Sequence, residues 1–176
     1  MLKKILLDHK EFHFTQSALP ILIHGKEHTG SSLFTISALT DLYSQGLKII
    51  ALTGYPMARD AFVKQTGSEE NMQFFTKEKT EEFLNFISKI PDMDDAIVLV
   101  KNIEFFSEEV FNTVKSINNL ILSGDVNKCS FKEELLQNTF ITKIYFSSLD
   151  EQLPELNKYE GLFVSQNHIG RVSLEV

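Results

Sequence analysis

Short apolar runs alternate along this chain with segments whose apolar residues recur at helical spacing, and that alternation constrains the fold most. The runs Ile21-Leu22-Ile23, Lys48 to Thr53, Ala96 to Val100, Leu120-Ile121-Leu122 and Ile141 to Ser147 have the length of strands buried on both faces. Met72 to Phe75 suits a shorter one. Between them, Ser31 to Gln45 carries Leu33, Phe34, Ile36, Leu39, Leu42 and Tyr43, with Gly46 placed as a C-terminal cap. Lys79 to Ile90 puts Phe83, Leu84, Ile87 and Ile90 on one face and meets a stop at Pro91. Ser107 is placed to cap a further helix, with Glu108 and Glu109 in its first turn and Val110, Phe111, Val114 and Ile117 inward. A short helix is expected over Phe131 to Gln137. Gly161 to Ser165 and Arg171 to Glu175, flanking Asn167-His168-Ile169-Gly170, read as a closing β-hairpin at one edge of the sheet. The prediction is an α/β fold, a mostly parallel sheet with helices on both faces and a C-terminal antiparallel hairpin.

With 176 residues, 43% of them hydrophobic, the chain fits one domain (1–176) that can bury a core without disulfides or metals. The one cysteine, Cys129, excludes an internal disulfide and reads as a buried, inert thiol. The start, Met1 to Asp8, is too short in its apolar part for a signal peptide, and no run approaches the ~20 apolar residues of a membrane span. These point to the cytoplasm. A net charge of −7, with no Lys/Arg cluster longer than a pair, disfavours direct nucleic-acid binding.

The most informative segment is Gly25-Lys26-Glu27-His28-Thr29-Gly30-Ser31-Ser32, between the first parallel strand and a helix. A phosphate-binding loop reads G-x-x-x-x-G-K-[ST] in this setting. Both glycines and the hydroxyl, Ser32, are in place; Ser31 stands where the lysine belongs. The glycines let backbone N–H groups curl round phosphate oxygens, and the helix end adds its dipole. The missing lysine would supply charge to the β and γ phosphates. Two readings stand: a plain βα turn whose glycines serve geometry, or a phosphate loop stripped of its cation. On the second, Gly25 to Ser32 forms an anion-cradling nest.

The chain resembles P-loop domains of the RecA-like division, including KaiC-like and FtsK/HerA-like ATPases. The likeness spans the chain from about Leu19 onward. It implies a RecA-like three-layer sandwich and an acid at the end of a later strand that serves Mg²⁺ or the attacking water. In Asp94-Asp95-Ala96-Ile97-Val98-Leu99-Val100-Lys101-Asn102-Ile103-Glu104 that place is held by Lys101. Asp94 and Asp95 stand at the wrong end of the strand. Leu120 to Ser123 with Gly124-Asp125 matches the strand bearing a polar sensor, and Leu135 to Ile144 resembles the penultimate helix and strand of FtsK/HerA-like domains.

Loss of both the loop cation and the metal-holding acid predicts a pseudo-ATPase: an interaction or assembly subunit in a homo- or hetero-oligomer, alongside an active ATPase relative in the second case. It would have no resident cofactor and at most weak ATP or phosphate binding. The alternative is a weak nucleotide-binding protein or NTPase in which Lys101 or Lys26 supplies the missing charge. Candidate ligand-binding residues are Gly25, Lys26, Gly30, Ser31, Ser32 and Lys101, with Lys101 expected to project from the C-terminal end of a strand next to the glycine loop and, on the plainer reading, to be solvated. His24, Glu27 and His28 fall on a strand end and a turn, which argues against zinc. Glu104, with Glu108 or Glu109, is read as a helix-start carboxylate. Arg59 and Asp60, read in a loop bordering the crevice, suit a surface ion pair.

Overall fold

The computed structural model describes residues 3–90, 93–149 and 155–175. Among them, ten strands form one sheet: β1 (Ile5–Leu7), β2 (Lys10–Phe12), β3 (Ile21–His24), β4 (Lys48–Thr53), β5 (Met72–Thr76), β6 (Ala96–Lys101), β7 (Leu120–Gly124), β8 (Thr142–Tyr145), β9 (Glu160–Ser165) and β10 (Ile169–Leu174). Their order is β2-β1-β10-β9-β8-β3-β7-β6-β4-β5. From β8 to β5 the neighbours are parallel. From β8 outward to β2 they are antiparallel.

Strand alternation sorts the apolar side chains onto two faces. Ile23, Ala51, Leu99, Ile121 and Ile144 pack beneath α1 (Ser31–Tyr43) and α2 (Met57–Thr66). Leu22, Leu52, Val98, Val100 and Leu122 pack beneath α3 (Thr80–Ser88), α4 (Glu108–Val114) and α5 (Lys132–Gln137). The result is three layers. Phenylalanines knit the first face: Phe14 meets Phe34 edge-on at 5.8 Å, and Phe34 meets Phe146 at 5.1 Å. α1 is buried nearly all round because α2 and the sheet both cover it.

Several expectations are corrected. Arg59 and Asp60, read in a loop, are helical, because Met57–Thr66 form α2. Its inward pattern is only Ala58 and Phe62, too sparse for periodicity to register, although Pro56 and Gly67 mark its ends. Gly67 has φ 68°, a left-handed C-cap. The closing hairpin β9–β10 is present, but it is not the sheet's edge: β1 and β2, unanticipated, lie beyond it. In the sheet β7 lies between β3 and β6, and the C-terminal end of β6 still reaches the cleft that the glycine loop lines. Ser107 occupies the N-cap of α4 without a capping side-chain hydrogen bond. Pro91, read as the stop of α3, lies outside the described residues. No helix among the described residues is long and apolar enough to cross a membrane.

Candidate functional site

The parallel strands end together at one side of the sheet, where ligands sit in open α/β folds. There the chain forms a cleft of about 500 Å³ lined by Gly25, Lys26, Gly30, Ser31 and Ser32 of the loop, Lys101, Asn102 and Glu104 after β6, and Ser123 and Gly124 of β7. All six candidate residues meet in it. Tyr55 and Met57 stand at its wall and are among the few exposed large apolar side chains. A larger hollow, about 810 Å³ around Lys48, Met72, Asp95 and Ala96, lies at the opposite strand ends, away from the glycine loop.

The first half of the loop is tied to the protein itself. Gly25 N–H donates to the Gly124 carbonyl (3.2 Å), and Lys26 N–H donates to Ser147 Oγ (3.1 Å). The Lys26 carbonyl accepts from Thr29 N–H (3.4 Å) and Thr29 Oγ1 (2.7 Å), closing a turn with His28 at φ 65°. The Gly25, Lys26 and Thr29 amides are thus bonded within the protein, and a cradle over Gly25 to Ser32 would draw on the remaining amides of the loop and of the α1 end. There Gly30, at φ 93°, turns the chain into the helix. The first intrahelical bond is Phe34 N–H to the Gly30 carbonyl (2.9 Å). The amides of Ser31, Ser32 and Leu33 are thus first-turn donors directed out of the helix end.

Ser31, in the lysine's place, is 7% exposed and turns inward. A Cβ on Gly25 would lie 2.5 Å from both its Cβ and its Oγ. Ser32 is exposed in the cleft. Lys26 is exposed too, at the rim. His24 is fully buried and holds the loop's start: Val126 N–H donates to its Nδ1 (3.0 Å), and its Nε2 lies 3.2 Å from Ser147 Oγ and 3.4 Å from the Ser148 carbonyl. Because Nδ1 accepts, Nε2 carries the proton, so this imidazole is neutral. Burial, outweighing the Ser148 contact and the Asp125 charge, holds its pKa below the usual histidine value.

Lys101 is 5% exposed, which overturns the solvated reading. It shares its face with Ile97 and Leu99, the face that α1 covers, and lies in register with Ser123 of β7. Ser123 Oγ meets Thr35 Oγ1 at 2.7 Å, and Thr35 Oγ1 donates to the Ser31 carbonyl (2.8 Å). Lys101 is therefore one residue-width from a polar chain that reaches the first turn of α1. Lys101 Nζ donates a long hydrogen bond to Asn102 Oδ1 at 3.4 Å. Burial lowers its pKa, and the Glu104 charge opposes that shift.

Glu104 does not start a helix. It lies in a 3₁₀ turn, Ile103–Phe105, in the cleft, and accepts from Asp125 N–H (3.1 Å). Asn102, at φ 64°, aims it there; an asparagine tolerates that conformation. Three more residues were missed. Ser147 anchors the loop, and Thr29 fills its interior. Tyr159 lies so close over Gly30 that a Cβ there would be 2.4 Å from its Cδ1. Arg59 pairs on the surface with Glu69 (3.3 Å) and Asp60 (3.9 Å). Cys129 is buried and its thiol is pushed up to about 12, mainly by burial, so it is inert. Among the described residues, no group of three or more His, Cys, Asp or Glu side chains could hold a metal.

The architecture has clear counterparts among solved structures. The monomer form of the pCW3 conjugation coupling protein TcpA, with ATPγS, superposes at TM-score 0.65 with 13% identity, covering 97% of this chain and 65% of TcpA. The fold is that of a RecA-like P-loop ATPase domain. ATPases 2 and 3 of EssC from Geobacillus thermodenitrificans match this chain at TM-score 0.63 and 14% identity, over 98% of it and 40% of EssC. The flagellar accessory protein FlaH of Methanocaldococcus jannaschii matches at TM-score 0.53 and 8% identity, over 83% of the chain and 76% of FlaH. The chain thus spans less than two thirds of the TcpA and EssC chains. Neither a protein-family model nor a curated protein sequence matches it.

Proposed function

We propose that this P-loop domain is a pseudo-ATPase, a non-catalytic subunit that works by binding and assembly. One observation carries the reading. Phosphoryl transfer on a P-loop needs a mobile cation at the loop and a carboxylate for the metal at the far strand. This chain has an inward-turned serine, Ser31, at the first place and a buried lysine, Lys101, at the second. Exposed Tyr55 and Met57 at the cleft mouth suit a partner surface on the same side. Size-exclusion chromatography with light scattering tests the assembly role. Self-association, or a stable complex with a purified P-loop ATPase, supports it; a strict monomer that forms no such complex counts against it.

A second reading is favoured by the burial of Lys101 in the cleft: nucleotide binding in which this lysine replaces the loop's cation. The TcpA counterpart was solved with ATPγS, which supports nucleotide as the class to try. Thermal shift with ATP, ADP, GTP and GDP tests it. Ligand at 100 times its Kd stabilises by about 2.7 kcal/mol, and no shift with any of them rejects it.

A further inference from the structure

P-loop folds pair their phosphate site with Mg²⁺, and the donor set of this cleft does not fit that ion. Magnesium takes oxygen ligands in near-octahedral array, keeping several waters and using one or two carboxylates beside the phosphates of its ligand. The cleft offers the exposed Ser32 hydroxyl and two carboxylates: Glu27, exposed at the rim, and Glu104, which already accepts from Asp125 N–H and acts electrostatically on Lys101. The strand position that should hold a metal carries the Lys101 amine instead of a carboxylate.

That amine is under-satisfied. An ammonium has three donors, and Lys101, 95% enclosed, has one contact of 3.4 Å to Asn102 Oδ1 and the Glu104 charge nearby. It lies on the face beneath α1, whose 13-residue helix presents its positive end and the first-turn amides of Ser31 and Ser32 to the same cleft. Two positive features border one hollow, and only Glu104 opposes them from within it, Glu27 being exposed at the rim; that arrangement suits an anion. The remaining charged groups at the rim are Lys26, Glu27 and His28, all exposed.

Resting on the reading that the cleft admits a phosphate-bearing ligand, we propose that it binds a polyphosphate chain, free or as a nucleotide tail, without magnesium, the Lys101 ammonium contacting the phosphate oxygens where a metal ion otherwise would. Magnesium then competes: it masks the charge of the ligand that the lysine must meet, and in the cleft it is repelled by the ammonium.

The experiment is titration calorimetry with inorganic tripolyphosphate, ADP and ATP, each in EDTA and in excess Mg²⁺, on the full chain. Wild type is expected to bind tripolyphosphate in EDTA and to bind it several-fold more weakly in Mg²⁺. Lys101→Met is expected to lose at least tenfold in EDTA, Lys101→Arg to keep most of the affinity, and Lys101→Asp to bind only with Mg²⁺. Thermal unfolding of each variant without ligand shows that it is folded. Tighter binding of ATP than of tripolyphosphate identifies a nucleotide, and equal affinity a free polyphosphate; both support the site. Binding that Mg²⁺ strengthens tenfold, a Lys101→Met variant that binds as wild type does, or no binding at millimolar tripolyphosphate in EDTA overturns the proposal. Binding that Mg²⁺ strengthens, or that Lys101→Met leaves intact, overturns this proposal and leaves the phosphate-binding reading standing, whereas no binding overturns both, so the two failures are separate.

Discussion

Ser31 and Gly25 close on each other across the loop, so tightly that a Cβ on Gly25 would lie 2.5 Å from both Ser31 Cβ and Ser31 Oγ. A side chain at 25 therefore cannot enter without displacing the first turn of α1. Gly25→Ala is expected to destabilise the protein by about 1–3 kcal/mol, the usual range for overpacking. Urea unfolding measures it; a loss below about 0.5 kcal/mol shows the loop to be looser than described.

Gly30 fails in a different way. Its φ of 93° penalises any L side chain, and Tyr159 fills the space a Cβ would need. Gly30→Ala should cost roughly 1–3 kcal/mol from the backbone alone, and more from the clash. The double variant with Tyr159→Ala separates the two, because removing the ring restores the clash energy and leaves the backbone strain. If Tyr159→Ala restores nothing, the tyrosine is not held over Gly30 in solution.

The α/β alternation, the parallel strands and the glycine loop were legible because each is local: apolar runs of strand length, helical spacing, two glycines at a fixed interval. The six candidate residues converge on one cleft for the same reason, since strand ends and the loop after β3 share one side of a parallel sheet. What escaped was non-local. β1 and β2 are three residues each, too short to show a period. Whether β6 neighbours β3 is decided by where β7 inserts, and no stretch of β6 encodes that. The burial of Lys101 follows from α1 lying over its face, and Tyr159 reaches Gly30 from far along the chain. Glu104 had a local signal, Asn102 in a left-handed conformation just before it, but asparagine is common in turns.

Thr35 and Ser123 form a buried hydroxyl pair that ties α1 to β7. Thr35 donates to the Ser31 carbonyl, so Ser123 donates to Thr35. Thr35→Val strands the Ser123 donor and should cost about 1–3 kcal/mol. Ser123→Ala leaves Thr35 with its carbonyl and should cost nearer 1 kcal/mol. The double variant should be no worse than Thr35→Val alone. Additive losses in a double-mutant cycle contradict the pairing.

His24 makes stability depend on pH. Its folded pKa lies below the ordinary value of 6.5, so the unfolded chain binds the extra proton more readily. Stability is then full above about pH 6.5 and falls as the pH drops below it toward the folded pKa, by at most roughly 2 kcal/mol by pH 5 for one proton. His24→Gln, which keeps an acceptor for Val126 N–H and cannot titrate, should lack that part of the loss. Parallel stability curves for wild type and variant between pH 7 and 5 contradict the assignment.

Burial of Lys101 disfavours its charged form, which lowers its pKa. Without ligand, Lys101→Met should unfold at the same or a higher temperature than wild type, since apolar replacements of buried charges are often neutral or stabilising. A drop worth more than about 2 kcal/mol marks the ammonium as a structural partner of Glu104.

The most direct test of the pseudo-ATPase account is phosphate release from ATP in excess Mg²⁺, followed at high protein concentration for wild type beside Gly30→Ala and Lys101→Met. With no cation free at Ser31 and no acid at Lys101, the three should release phosphate at one indistinguishable background rate. Magnesium-dependent release by wild type that falls tenfold or more in either variant contradicts the account.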